Sequence, residues 1–278
     1  MAHRLTIQNA TRLRAYPLLM YDNAMANARL TAIVPTFNEE ANIRECLERL
    51  TFADEILVAD SFSTDRTLEI ASEFKARVVQ REYNYSASQK NWAIPQARHE
   101  WILLCDADER VTDELRHEVQ EVLSGGAKHV GYSIPRANYF LKRRIRHCGW
   151  SPERDRNVRL FMRDKCRYED KEVHADVICE GSVGRLNSPF LHYSFDTFEQ
   201  YIAKMNRYTT WAANDLVNAE RRVSVLDLVC RPPLTFMKMY FMQAGFLDGL
   251  EGLILCSASS FYTFSKYVKA WLLSQEGN

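Results

Sequence analysis

Short apolar runs alternate with helical patterns along roughly the first half of the chain. The runs are rich in Val, Ile and Leu and are followed by polar residues, which is typical of buried strands. Between them, apolar residues recur three or four positions apart, which is the spacing of an amphipathic helix. The predicted strands are 30–34, 55–59, 76–80 and 101–105, and the predicted helices are 39–50, 64–74, 86–97 and 113–123. This alternation predicts a doubly wound, Rossmann-like α/β sheet with parallel strands.

The pattern changes in the second half. Residues 131–185 lack the alternation and are rich in Arg, Asp and aromatic residues, which predicts strands and loops. Long helical patterns then cover 198–218 and 234–273, with Pro232 and Pro233 marking a break between them. We therefore predict an N-terminal extension over 1–27, an α/β domain over 28–197 and a helical C-terminal region over 198–278.

Composition and charge narrow the class of protein. The 278 residues are 46% hydrophobic and 26% charged, as in a globular chain. Basic and acidic residues both number 36, so no net positive field attracts a nucleic-acid backbone, and a DNA-binding protein is disfavoured. All ten glycines follow Ser124, whereas a glycine-rich phosphate loop needs several after the first strand. Walker-type nucleotidases and NAD-dependent dehydrogenases are therefore disfavoured.

Cysteine usage and hydropathy predict a cytoplasmic protein. The seven cysteines include no CxxC pair, and their odd number argues against a disulfide framework or a zinc knuckle. The first residues lack the continuous apolar core of a secretory signal. The most apolar C-terminal stretch, 234–255, is interrupted by Lys238, Gln243, Asp248 and Glu251, which disfavours a membrane span.

Polar and acidic residues follow three of the predicted strands. These loops are PTFNEE at 35–40, ADSFSTD at 59–65 and DADER at 106–110. In an open α/β sheet the ligand binds beyond the carboxyl ends of the strands, so we expect the loops to meet in one crevice. Taken singly, Asn38, Ser63 and Thr64 are explained equally well as helix caps.

The acids of DADER are candidate metal ligands. In an extended chain, Asp106 and Asp108 would point to the same side. Mg²⁺ or Mn²⁺ would relieve their repulsion, because these hard cations take oxygen ligands and leave positions open for phosphate. The spacing alone is weak evidence, since 36 acidic residues in 278 predict roughly five such triplets by chance. Its position after a buried strand strengthens the interpretation.

Seven segments carry a family resemblance. PTFNEE, VADSFSTDRT, SASQKNWA and LLCDADERV occur in the order and spacing of the family 2 glycosyltransferases. The later segments RDKCRYEDKEVHADV, LHYSF and YIAKMNRYTTWAA resemble the branch that includes lipopolysaccharide-core β-glucosyltransferases, so the resemblance covers about 30–211. It implies a GT-A fold, a nucleotide-sugar donor, a metal-dependent inverting mechanism and an acceptor hydroxyl on a glycan or glycolipid.

The resemblance also implies roles for individual residues. The residues expected to bind the donor's base and ribose are Pro35, Thr36, Glu39 and Asp60. Lys90 is expected near the donor's phosphates or sugar, and Asp106 and Asp108 become the motif that binds Mn²⁺ or Mg²⁺. Many relatives have glycines where this chain has Phe62 and Arg66, which leaves the nucleotide base open.

A second acidic cluster lies about 60 residues beyond the metal motif, where related enzymes keep the base that deprotonates the acceptor. Inversion requires a carboxylate within hydrogen-bonding reach of the attacking hydroxyl, opposite the leaving diphosphate. Asp170 is the first choice, and Glu169, Glu172 and Asp176 are the competitors. A solvated run of charges is the alternative interpretation.

Three further residues are candidates for the site. His192 is a possible third metal ligand, although a hydrogen-bonded structural histidine is the more common case. Arg156 and Arg159 precede an apolar pair, and a guanidinium fork there could neutralise the leaving diphosphate. Pairing with neighbouring aspartates is an equally good explanation.

We predict a cytoplasmic hexosyltransferase that uses a UDP-linked donor and a surface glycan or glycolipid as acceptor. The C-terminal region 231–273 combines apolar residues with flanking Lys and Arg, which fits either helix packing or peripheral contact with the inner face of the cytoplasmic membrane. Two other functions stay open: a sugar nucleotidyltransferase, which also uses paired carboxylates, and a non-catalytic glycan-binding relative.

Overall fold

The computed structural model describes residues 28–171, 175–195 and 197–276, so the predicted N-terminal extension lies outside the described residues. The strands are β1 Leu30–Thr36, β2 Glu55–Asp60, β3 Arg77–Gln80, β4 Trp101–Leu104, β5 Glu109–Val111, β6 Gly131–Phe140, β7 Arg143–Arg144, β8 Arg156–Met162, β9 Cys166–Tyr168, β10 Val177–Cys179, β11 Val183–Arg185 and β12 Phe190–Phe195. The helices are α1 Ile43–Glu48, α2 Thr67–Glu73, α3 Ser86–Ala93, α4 Asp113–Ser124, α5 Phe198–Asn218, α6 Val225–Val229, α7 Arg231–Met237 and α8 Gly249–Glu276. Single turns of other helix types cover Ile94–Gln96, Lys238–Met242 and Gly245–Asp248.

One mixed sheet organises the described residues between 30 and 195. Its strand order is β3-β2-β1-β4-β8-β6-β12-β5, and β7 and β11 also pair with β6. The strands β3, β2, β1 and β4 run parallel, which confirms the predicted Rossmann-like half. Beyond them β8 runs antiparallel to both β4 and β6, so the sheet as a whole is mixed.

Helices cover both faces of the parallel half, which explains the continuous apolar runs. On β1, Leu30, Ala32 and Val34 are buried against α1 and α4, while Ile33 faces α3 on the opposite side. Successive side chains of a strand point to opposite faces, so a strand buried on both sides needs apolar residues throughout.

The C-terminal helices share a core with the far side of the sheet. Phe140 at the end of β6 packs against Tyr201 and Met205 of α5 and against Leu255 and Cys256 of α8. A capping box between Thr197 and Gln200 begins α5. Within the described ranges, no helix combines the length and the apolar character that a membrane crossing requires.

The helical pattern predicted over 234–273 is divided between α7, two single turns and α8. The chain turns at Ala244, whose φ is 54°, and again at Gly249, whose φ is 67°. Between these turns the backbone of Gly245 is so close to Cys148 and Cys256 that a Cβ would lie 2.8 Å from each sulfur. Pro232 and Pro233 lie in the first turn of α7, where a missing N–H costs no hydrogen bond.

The structure also contains a disulfide, which the cysteine count argued against. Cys166 and Cys179 are bonded across the antiparallel β9–β10 ribbon, where they form one register pair, and the other five cysteines are free. The register of this ribbon is a tertiary feature that residue counts do not contain. The bond closes the segment that carries the second acidic cluster.

Candidate active site

The acidic motif after β4 forms a tight turn. The N–H of Glu109 donates to the carbonyl of Asp106 at 2.8 Å, and the chain then continues as β5, which pairs with β12. The expectation that Asp106 and Asp108 lie on one side of an extended chain is therefore wrong. Because of this turn, the two carboxylates point into different surroundings, and each has its own partners.

The carboxylate of Asp106 is bound by two cations from different elements. Lys90 of α3 places its Nζ 3.0 Å from Oδ1, and Arg159 of β8 places its Nη2 2.7 Å from Oδ2. Burial raises the pKa of Asp106, but these cations outweigh it and hold the pKa well below the ordinary value. Three residues of the predicted donor site are thus brought together as an ionised cluster.

Glu109 is a member of this cluster that the sequence analysis missed. Its side chain is fully buried, accepts a hydrogen bond from the N–H of Asp106 at 2.9 Å and lies 3.1 Å from Nη2 of Arg159. Glu109 therefore fixes both the backbone of the turn and the guanidinium beside it. The only signal in the sequence was its place directly after the motif, where we assigned it no role.

Arg159 has donor nitrogens that no described residue uses. Its side chain is buried, yet Nε and Nη1 have no hydrogen-bond partner among the described residues. Leaving a buried donor unpaired costs about 1–3 kcal/mol, and more when the group is charged. Such an arrangement suits an anion with several acceptor oxygens.

Asp108 faces His192 of β12. Oδ2 of Asp108 lies 3.4 Å from Nε2 of His192, whose Nδ1 lies 2.6 Å from Oδ1 of Asn138. Burial raises the pKa of Asp108, but the interaction with His192 lowers it to about 2. Asp108 is therefore ionised at neutral pH.

Asn138 determines which nitrogen of His192 carries a proton. Its Nδ2 donates to the carbonyl of Trp150 at 3.1 Å and to Asp155 at 2.7 Å, so its Oδ1 is the acceptor that faces His192. Nδ1 of His192 must then carry a hydrogen, which leaves Nε2, beside Asp108, as the nitrogen that could bind a metal ion. This is the arrangement of a metal-binding histidine with an outer partner.

The residues fit a divalent cation at Asp108 and His192 better than at Asp106. Both oxygens of Asp106 are already in ion pairs. Among the residues described here, no group of three or more His, Cys, Asp or Glu side chains converges as a complete ligand set. The predicted trio of Asp106, Asp108 and His192 therefore does not meet at one point.

A continuous chain of ion pairs and hydrogen bonds joins the two halves of the motif. In order, it runs through Lys90, Asp106, Arg159, Glu109, Arg136, Asp155, Asn138, His192 and Asp108. Arg136, Asn138 and Asp155 come from the segment that the sequence analysis described only as strands and loops. Because these residues are far from the motif in the sequence, no local pattern connected them with it.

The ends of β1 and β2 are held together by Asp60. This fully buried carboxylate accepts hydrogen bonds from Thr36 at 3.2 Å, from the N–H of Ser63 at 2.9 Å and from Gln80 at 3.0 Å. The protein itself thus occupies much of its hydrogen-bonding capacity. Burial and the neighbouring carboxylates of the motif raise the pKa of Glu39 above its ordinary value.

A crevice of about 510 Å³ lies beside this cluster. Its basic side chains are Lys90, Arg136, Arg156, Arg159, Lys171 and Arg185, its acidic ones are Asp106 and Asp176, and Tyr83, Tyr168, Tyr208 and Trp211 contribute aromatic surface. The other candidates, Pro35, Thr36, Glu39, Asp60, Asp108 and His192, are not part of this lining. The excess of basic side chains favours an anionic ligand.

The second acidic cluster divides between two depressions. Asp170 accepts a hydrogen bond from the hydroxyl of Tyr85 and lines a separate depression with Arg81 and Trp92. Asp176 instead lines the crevice that contains Asp106.

Of the other two competitors only Glu169 is described, and it does not line the crevice. Glu169 is paired with Lys171 at 2.7 Å and accepts a hydrogen bond from the N–H of Asp176. Glu172 lies outside the described residues.

The parallel sheet, the acidic turn after its fourth strand and the adjoining basic crevice define a GT-A glycosyltransferase fold. The sequence model of the glycosyl transferase family 2 matches residues 31–181, and the chain belongs to this family. The protein is therefore a glycosyltransferase, as the resemblance implied.

Relatives align over most of the chain. The lipopolysaccharide core biosynthesis glycosyltransferase LpsC of Rhizobium meliloti (strain 1021) is 31% identical over 252 residues, which cover 87% of this chain and 92% of that protein. An uncharacterized glycosyltransferase of Rickettsia bellii (strain RML369-C) is 27% identical over 90% of this chain and 88% of its own length. The mannosyltransferase PcManGT of Pyrobaculum calidifontis, whose structure is a complex with GDP-Man and Mn²⁺, has the same fold at a TM-score of 0.53 and 17% identity, over 88% of this chain and 87% of that one.

Proposed function

We propose that the protein transfers a hexose from a UDP-linked donor to a hydroxyl of a glycan or glycolipid in the synthesis of lipopolysaccharide or another surface polysaccharide. The observation that carries this proposal is the crevice in which Lys90, Asp106 and Arg159 form one buried, preorganised cluster. The similarity to LpsC supports the lipopolysaccharide assignment.

Lys90 and Arg159 neutralise the leaving diphosphate in this proposal. Asp106 and Glu109 hold the two cations in place before the donor arrives, so little reorganisation is needed when negative charge develops. The two unused nitrogens of Arg159 supply hydrogen bonds to phosphate oxygens.

Mn²⁺ or Mg²⁺ is the cofactor in this proposal, with Asp108 and His192 as its protein ligands. Such an ion supplies Lewis-acid stabilisation of the departing diphosphate. The ionised state of Asp108 fits this role, and so does the contact of Nδ1 of His192 with Asn138, which leaves Nε2 as the nitrogen that could bind the metal.

We place the acceptor's base at Asp176 rather than at the first choice, Asp170. Only Asp176 of these two lines the crevice that holds the donor cluster. A carboxylate there can accept the proton of the acceptor hydroxyl while the sugar's bond to the diphosphate breaks.

Peripheral contact with an anionic membrane is a further part of the proposal. Residues 225–250 expose many large apolar side chains, among them Met242 at 81%, Leu226 at 69% and Leu250 at 66%. Exposed contiguous apolar surface of this kind marks an interaction site. Arg222 and Lys238 in or beside the segment are exposed as well, and basic residues favour an anionic lipid surface.

The proposed activity is tested by incubating the protein with UDP-glucose and Mn²⁺, with a rough lipopolysaccharide preparation as acceptor. Release of UDP together with incorporation of labelled glucose supports transfer. A parallel reaction contains UTP and glucose 1-phosphate. Release of pyrophosphate there would indicate a nucleotidyltransferase, and UDP binding without turnover in either reaction would indicate a non-catalytic glycan-binding protein.

A further inference from the structure

Two arginines of the crevice wall are not used by the donor cluster. Arg156 is the first residue of β8, and its Nη1 donates to the carbonyls of Ser133 at 3.0 Å and Leu186 at 2.6 Å. Arg185 is the last residue of β11, which pairs with the same part of β6. Both side chains line the crevice.

Neither guanidinium forms a direct ion pair with a carboxylate in the described part of the chain. The ion pairs of Arg136 and Arg159 account for the carboxylates of the buried network, whereas Arg156 bonds only to carbonyls and Arg185 is exposed. Burial and the charge of Arg185 lower the pKa of Arg156, while the charges of Glu118 and Glu153, neither of which is within ion-pair distance of it, raise that pKa.

The charge of Arg185 acts against that of Arg156, and an anion bound beside both guanidinium groups would relieve this repulsion. A guanidinium is suited to this task, because its planar fork matches phosphate and carboxylate oxygens with two parallel hydrogen bonds. The two hydrogen bonds that Nη1 of Arg156 donates to carbonyls orient the guanidinium. Among the described residues, its Nε and Nη2 stay available to bind an anion.

This pair is separate from the donor's diphosphate. Arg156 precedes Arg159 by three positions on β8, which places their Cα atoms about 10 Å apart along an extended strand. Asp176, the proposed base, lines the same crevice. An acceptor bound at the base therefore has the arginine pair within the same cavity.

We propose that Arg156 and Arg185 bind an anionic group of the acceptor, a phosphate or a carboxylate, so that the enzyme selects an acidic glycan. The inference rests on the proposed glycosyl transfer, because it identifies the acceptor's chemical class. It assigns the two arginines to substrate selection and leaves donor binding to the buried cluster.

The test is a calorimetric titration of the UDP-saturated protein with methyl phosphate, with methyl glucuronide and with neutral methyl glucoside. The variants are Arg156→Gln and Arg185→Gln, and Arg144→Gln on β7 is the matched control because Arg144 is exposed and outside the crevice lining. Circular dichroism shows whether each variant is folded. If Arg156→Gln fails to fold because its hydrogen bonds to the two carbonyls are lost, Arg185→Gln alone decides the test.

We expect at least one anion to bind the wild type and Arg144→Gln equally, and at least tenfold more weakly to the two crevice variants. Methyl phosphate alone would identify a phosphorylated acceptor, and methyl glucuronide alone a uronic acid. The inference is overturned if neither anion binds, if UDP displaces the anion, or if Arg185→Gln binds it normally.

The UDP titration that precedes each experiment separates this inference from the proposed function. Failure of UDP, GDP and dTDP to bind would refute the donor assignment. In that case the anion titration of the free protein, with the same variants, still decides whether the arginine pair binds an anion.

Discussion

Replacing Arg159 by lysine is expected to weaken the binding of UDP while leaving the binding of uridine unchanged. Lysine keeps the positive charge beside Asp106, but it has one nitrogen where arginine has a fork of three. In the native protein Nη2 is used by Asp106 and Glu109, and Nε and Nη1 are unused by the described residues. The substitution thus removes the donors that we assign to the diphosphate.

The size of the effect follows from those two nitrogens. A hydrogen bond to a charged group contributes about 1.5–3 kcal/mol. If the single nitrogen of lysine remains with Asp106, at least one such bond to the diphosphate is lost, which raises the Kd for UDP about 10- to 150-fold. Uridine has no phosphate, so its Kd is expected to be unaffected.

Isothermal titration calorimetry measures both ligands in the presence of Mn²⁺. Arg163→Lys is the matched control, because Arg163 follows the same strand but pairs with Asp164 and lies outside the crevice lining. If the Kd of Arg159→Lys for UDP differs from that of the wild type by less than threefold, the reasoning is refuted. An equal loss for uridine would mean that the substitution disturbs the fold instead of the diphosphate contacts.

Three further predictions concern the base, the metal and the membrane. In steady-state kinetics, Asp176→Asn is expected to lower kcat about 10²- to 10⁴-fold with an unchanged Kd for UDP, whereas Asp170→Asn is expected to stay near wild type. The reverse order of the two variants would assign the base to Asp170. EDTA is expected to stop transfer, and added Mn²⁺ to restore it. The variant Asn138→Ala is expected to need about 10- to 100-fold more Mn²⁺ for half of its maximal rate, because Asn138 orients His192. An unchanged Mn²⁺ requirement would contradict this role of Asn138. Sedimentation with anionic liposomes is expected at low salt and is reduced by high salt or by Met242→Ser, whereas salt-resistant binding would indicate deeper insertion.

The parallel half of the sheet could be predicted because its signals are local. The strands β1, β2 and β4 are mainly apolar runs, and α4 has a clear apolar stripe, so that these signals do not depend on distant residues. The boundaries differ where tertiary contacts decide them. The predicted helix 86–97, for example, ends as α3 at Ala93, since the single turn Ile94–Gln96 contains Pro95.

The arrangement of the acidic motif could not be predicted in the same way. Sequence spacing identifies Asp106 and Asp108, but their directions depend on the turn that the N–H of Glu109 closes and on partners from β6, β8 and β12. Those partners are between about 30 and 80 residues away in the chain. Only the folded sheet brings them to the motif.

The choice between Asp170 and Asp176 likewise required the structure. Both acids lie between β9 and β10, whose register is fixed by pairing of Tyr168 with Val177 and of Cys166 with Cys179. Which side of the ribbon faces the crevice depends on how the ribbon packs against α3, where Asn91 bonds both backbone groups of Tyr168. No periodicity within the acidic segment contains that information.

The charge of the buried network provides an argument for a divalent cation. Four carboxylates, those of Asp106, Asp108, Glu109 and Asp155, face three cations, those of Lys90, Arg136 and Arg159. At the Asp108 end, His192 and Lys204 also lower the pKa of Asp108. A diphosphate brought to this network alone would add negative charge beside four carboxylates, in a buried setting where charge is poorly screened. A divalent cation at the Asp108 end would offset that added charge. The rigid chain of contacts from Lys90 to Asp108 then holds the basic and the metal-binding ends at a fixed separation, so that both can act on one diphosphate.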